Sequence, residues 1–389
     1  MTYLVQNDNL ESISLDSLRN FDFPNISQES VRKAYQDALP TDADLWDLAE
    51  GNTEEILKKL AEFRKLFQFF QGLSQDKDLP KEFRELFEKT ASELAVKKHD
   101  ENVKYLSENK LQSYLIATLY PNENNGNQFL LNAWLIVDDL IGDLSKFQSL
   151  LDKNEQQIGK ICNLNEVSLE LSKFLEKALR LLRGKNYCLT IEFFLPTDLM
   201  GMEIDRWKIS DPVDDDITLG IKYPIRLRSL ERLNLRYLDH YLSQWRESWH
   251  KVRKLLENKP NQDCFETLSA IENFNWKVLK VNLNKKIGLK VTCHHPKSIQ
   301  KDLFKAILQA TTPLAIWTRT DILNLDQVTA IDEVLTSQPL CHLCESVRQT
   351  REKADAQTGE HLGHHLALLW ENPYRLTPDI MRELIQTGQ

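Results

Sequence analysis

GLKVTCHHPKSIQKDLFKAILQATTPLAIWT, residues 288–318, reads as a strand over Gly288–Cys293, a helix over Lys297–Gln309 and a strand over Pro313–Thr318. Both strand segments are short apolar runs rich in β-branched and aromatic residues. The stretch between them repeats its apolar positions Ile299, Leu303, Phe304 and Ile307 at a helical period. Downstream the alternation continues with helices between about Leu325 and Lys353, a strand at Leu366–Trp370 and a final helix from Thr377. Such a β-α-β-α-β order predicts parallel strands joined by right-handed crossovers.

Upstream, Ser113–Tyr120 and Gln128–Val137 are two β-rich runs separated by PNENNGN, a segment of turn formers, and read as a hairpin. A helix from Val167 to Arg183 ends at Gly184 in the C-cap position, and the next strand, Tyr187–Leu195, is closed by Pro196. Lys222–Arg228 reads as a strand, Tyr237–Asn258 as an amphipathic helix and Trp276–Leu283 as a further strand. Residues 1–105 read as helices only. Gln28–Ala38 follows an N-cap serine, Asn52–Gln71 ends at Gly72 as a C-cap, and Pro80–Val96 has Pro80 in its first turn. The expected fold is therefore α+β or α/β: a helical module over 1–105, then a mixed sheet over 106–389 with a C-terminal βαβαβ parallel unit. That second part is divisible into lobes 106–210 and 211–389.

Composition excludes several classes. Only 12 of 389 residues are glycine, and neither Gly-x4-Gly-Lys nor Gly-x-Gly-x-x-Gly occurs, so the two common backbone cradles for phosphate are missing. Net charge is −9, most of it in the first hundred residues, which makes nucleic acid an unfavoured partner. The longest apolar run, Phe129–Val137, is broken by Asn132 and is about half a membrane span. The opening MTYLVQNDNL lacks the basic and apolar regions of a leader, and six scattered cysteines do not form a disulfide framework, so a cytoplasmic location is expected. No cofactor is expected.

Three constellations carry potential chemistry. In a parallel sheet, ligands collect beyond the strand ends. That rule would gather His294 and His295, then Arg319 and Asp321, then Glu371, Asn372 and Arg375 into one polar pocket. The opposing reading has these residues capping helices and pairing at the sheet edge. Arg226 and Arg228 share a strand face, and Arg232 and Arg236 are a helical turn apart. Together they suit a phosphate or an acidic partner, or else form a solvated face neutralised by Glu231, Asp239 or the 211–216 loop. Cys341, Cys344, His361 and His365 have the order of a Cys2His2 zinc set, but the gap is long and the helical position of the cysteines favours packing. Nucleophilic motifs are absent.

EFFLP at 192–196 with DRW at 205–207, YPIRLRSLER at 223–232, PLAIW at 313–317 and HLGHHLALLWENPYR at 361–375 together resemble the C-terminal domain of the vWA-MoxR-associated proteins of bacterial conflict systems. The resemblance spans roughly Leu111 to Arg375. It implies a non-catalytic adaptor or sensor in antiviral defence that works with a MoxR-type AAA ATPase, a vWA-domain protein and a peptidase effector. It brings no catalytic residues. The alternative expectation is an enzyme or nucleotide-signal receptor using the strand-end crevice. Trp207, Trp245 and Trp249 are read as core or interface anchors.

Overall fold

A computed structural model describes residues 28–38, 57, 60, 66–91, 110–138, 144–155, 159–214, 217–271, 274–294, 297–322 and 325–387. The chain divides into two compact units, one of residues 1–109 with 384–389 and one of residues 110–383.

The first unit contains α1 (Gln28–Ala38), α2 (Leu66–Gln75) and α3 (residues 81–91). Its core joins Ala34 and Tyr35 of α1 to Phe69, Phe70 and Leu73 of α2 and Phe87 of α3. The Phe70 and Phe87 rings lie 5.9 Å apart. Gly72, expected to cap a helix, instead lies inside α2. A Cβ there would stand 3.4 Å from the Ala34 Cβ, so the residue serves the close approach of α1 and α2.

The second unit is built on one ten-stranded mixed sheet. The strands are β1 (Leu111–Pro121), β2 (Gln128–Ile136), β3 (Phe147–Ser149), β4 (Lys160–Asn163), β5 (Tyr187–Leu195), β6 (Ile225–Ser229), β7 (Phe265–Leu268), β8 (Gly288–Val291), β9 (Leu314–Thr318) and β10 (Leu366–Trp370). Their order across the sheet is β3-β2-β1-β5-β6-β10-β9-β8-β7, with β4 also on β2. The expected hairpin is present, with Ala117 of β1 opposite Ala133 of β2. β5 pairs with β6, so the sheet runs unbroken through residue 210.

Among the described residues the longer helices that follow are α4 (Val167–Leu181), α5 (Leu235–Arg253), α6 (Trp276–Leu283), α7 (Lys297–Gln309), α8 (Gln327–Thr336), α9 (Leu343–Asp355) and α10 (Pro378–Thr387). α4 and α7 belong to the core cluster that takes Ala367 and Leu369 of β10; α5, α8 and α9 belong to the cluster that takes Leu366, Leu368 and Trp370. Alternation of side chains thus sends β10 into two cores, and every residue of β6, β8, β9 and β10 is buried.

Two expectations need correction. Trp276–Leu283 is a helix. The Asn275 side chain accepts hydrogen bonds from the Lys277 and Val278 amides as an N-cap, and Leu279 and Leu283, four apart, are buried while Val278 and Val281 face outward. The last three strands are not all parallel either. β8 and β9 are parallel, with Lys290 beside Ile316, but β10 runs antiparallel to β9 and parallel to β6. The reason is the connection. The single helix α7 returns the chain to the end where β8 began, whereas α8 and α9 run out and back. β10 therefore starts where β9 finishes, with the Arg319 amide donating to the His365 carbonyl at 3.1 Å.

Candidate functional site

The direction of β10 decides how the expected site residues are distributed. Glu371, Asn372 and Arg375 follow the end of β10, which lies beside the start of β9, where the Glu371 amide donates to the Pro313 carbonyl at 2.8 Å. His294, Arg319 and Asp321 follow the ends of β8 and β9, at the opposite edge of the sheet. The six residues divide into two groups, and His295 lies outside the described residues.

At the β10 end lies a buried network of four arginines and two glutamates. In the parallel register of β5 and β6, Glu192 stands beside Arg226, so the acid and the guanidinium share a face. The Glu192 carboxylate accepts from Arg226 Nη1 at 3.1 Å, Arg228 Nη1 at 2.9 Å and Arg375 Nη1 at 2.6 Å. Glu371 takes the Ser229 amide at 2.7 Å, with Arg228 Nε and Arg232 Nε each 3.3 Å away. Arg228 Nη2 donates to the Asn372 carbonyl at 2.5 Å, and Arg228 Nη1 also reaches the Arg375 carbonyl. Arg232 Nη2 donates to the Thr312 carbonyl at 2.8 Å.

Aromatic faces take up part of the charge excess. Arg226 lies 4.6 Å from the Trp370 ring, Arg228 4.4 Å from Phe194, Arg232 4.5 Å from Trp245 and Arg375 3.7 Å from Tyr114. Trp245 also donates its indole N–H to the Glu371 carbonyl at 3.1 Å, and Trp249 meets Trp370 edge to face. Burial alone would push the Glu192 carboxyl up. Arg375, Arg228 and Arg226 outweigh that effect and hold it at about 2. None of these side chains is more than 10% exposed. The geometry is that of an ion-pair network locked within the core.

This corrects the arginine reading. Arg226, Arg228 and Arg232 are not a solvated face, and their counter-charges are Glu192 and Glu371 rather than Glu231 or Asp239. Arg236 alone of the four is exposed. The 211–216 loop does supply a partner to the nearby cation Lys222, through Asp211. Glu192 is the residue that sequence reasoning missed. The available signal was an acid in the middle of the otherwise apolar strand YCLTIEFFL.

A second buried group sits at the other edge. Arg319 grips Asp205 with both terminal nitrogens, at 2.5 and 3.3 Å, and Arg351 Nε lies 3.4 Å from the same carboxylate. Burial raises the Asp205 carboxyl; Arg351 and Arg319 more than reverse this and leave it lowered. Gly220 makes room, since a Cβ there would come within 2.6 Å of the Asp205 Cβ. At the surface above, the His294 amide donates to Asp321 Oδ1 at 2.7 Å and its Nδ1 lies 3.0 Å from the Arg319 carbonyl oxygen.

The Cys2His2 set is not assembled. Cys344 is buried with its sulfur 3.0 Å from Arg226 Nε, and His361 Nδ1 accepts from the Gly363 amide at 3.0 Å. Burial pushes the Cys341 and Cys344 thiols up. Among the described residues no cysteine belongs to a cluster of three potential metal ligands. Nor, among those residues, is any helix long and apolar enough to cross a membrane.

Comparison with known families brings one finding. The family model for the vWA-MoxR associated protein C-terminal domain matches residues 127–373, more than half of the chain and nearly all of the second unit. No curated protein matches the sequence.

Proposed function

The chain belongs to the vWA-MoxR associated protein C-terminal domain family, and from that premise we propose that it is a non-catalytic adaptor or sensor of a bacterial defence system. In this reading it couples a MoxR-type ATPase and a vWA-domain protein to an effector such as a peptidase, by protein contacts. The observation that carries the reading is the fate of the polar residues at the strand ends. A ligand crevice needs them in one open cleft. Glu371, Asn372 and Arg375 are instead consumed by a sealed ion-pair network, while His294, Arg319 and Asp321 lie at the other edge of the sheet.

The test is co-purification of the tagged, full-length chain expressed from its own locus, before and during infection. The expected result is recovery of a vWA-domain protein and a MoxR-type ATPase in stoichiometric amounts. Recovery of the chain alone under both conditions would remove the adaptor reading.

A further inference from the structure

GEHLGHH, residues 359–365, is the turn that carries the chain from α9 into β10. Gly359 has φ +104, which lets the backbone reverse, and residues Leu362–His364 form one 3-10 turn. Gly363 fixes that turn against α9. A Cβ at this position would lie 2.2 Å from the Thr350 carbonyl oxygen and 2.9 Å from the Ala354 Cβ, so only glycine allows this approach. Backbone bonds from His364 to the His361 carbonyl and from His365 to the Leu362 carbonyl, both 3.0 Å, hold the two histidines on a rigid frame.

On that frame the ligand atoms of Glu360, His364 and His365 all lie within 4.8 Å of one another. Glu360 Oε2 and His365 Nε2 are 2.9 Å apart. The Glu360–His365 hydrogen bond joins two of these groups, and the His364 ring meets the His365 ring edge to face with centroids 6.2 Å apart, which brings the second imidazole to the same place. His361 is not in the set: its ligand atoms fall outside this cluster, and its Nδ1 accepts from the Gly363 amide. Tetrahedral zinc with bonds of about 2.1 Å holds its ligands about 3.4 Å apart, a spacing within the reach of this cluster after small rotamer changes. Two imidazoles and a carboxylate are the donor types that suit a borderline divalent ion. Glu360 is exposed, so an ion has a path in, and the nearby cation Arg206 is engaged by Glu203 at 3.6 Å.

We infer that Glu360, His364 and His365 form a binding site for a divalent transition-metal ion of the zinc class, with a fourth coordination position open to solvent. The site takes one histidine from the Cys2His2 pattern in the sequence and none of its cysteines.

The experiment uses the full chain, stripped with a chelator and titrated with Co2+ followed by visible absorption, then with Zn2+ in competition and by calorimetry. Saturation at one equivalent is expected, with d–d bands of a low-coordinate site and no sulfur-to-cobalt charge-transfer band. Glu360→Gln, at an exposed position, should weaken binding by more than about tenfold without altering the circular dichroism spectrum. His364→Ala with His365→Ala should abolish it, and Cys341→Ser should leave it unchanged. Equal cobalt binding by the wild type and the double histidine variant would overturn the assignment, as would a thiolate charge-transfer band, and so would no saturable binding at all.

Discussion

Glu192 is the residue on which most of the buried charge turns. Three guanidiniums point at its two oxygens, and its removal would leave them facing one another in a medium that screens poorly. Glu192→Gln is expected to cost about 3–5 kcal/mol of unfolding free energy, read as a shift of the urea midpoint, because the amide keeps the shape but not the charge. Arg236→Ala, on the exposed side of the same sequence run, should stay within about 0.5 kcal/mol of wild type. The difference between these arginines was not legible in the sequence. Four arginines in eleven residues look alike until their partners are known, and the partners of the buried ones come from 34 to 147 residues away. A strand-embedded acid such as Glu192 was visible, but nothing local said which cations it would meet.

Elements were read more faithfully than partners. The β1–β2 hairpin, β5, α7, β9 and α10 all fall within a residue or two of their expected bounds, because each has a strong period and a marked end. α6 reads as a strand because WKVLKVNL is short and carries two β-branched valines, while what decides the helix is the Asn275 cap and the Leu279–Leu283 pair. Asn275→Ala should therefore lower stability by about 1 kcal/mol, measured by thermal melting, with local loss of amide protection at Lys277 and Val278. The direction of β10 was hidden for a different reason. Apolar runs specify strands but not their sense; between β9 and β10 the stretch from Leu325 to Lys353 holds two helices, which run out and back.

At the scale of the molecule, the second unit's buried acids couple its stability to pH. The Glu192 carboxyl is held at about 2 in the folded state against an ordinary value of 4.5. A depressed carboxyl contributes stability that is fully present above the unfolded value and is lost as pH falls towards the folded one. Asp205, lowered in the same direction, adds to the effect. Urea midpoints should accordingly be level from about pH 7 to 5 and fall steeply between about pH 4.5 and 2. The long reach of the same network bears on synthesis. Glu192 leaves the ribosome well before Arg375, whose side chain it needs, and Glu371 stands 143 residues after Arg228. A nascent chain stopped anywhere short of residue 375 carries an acid that its own core would have to bury without its full set of counter-ions. The second unit is thus expected to complete its fold only once its last strand and the ENPYR loop have emerged.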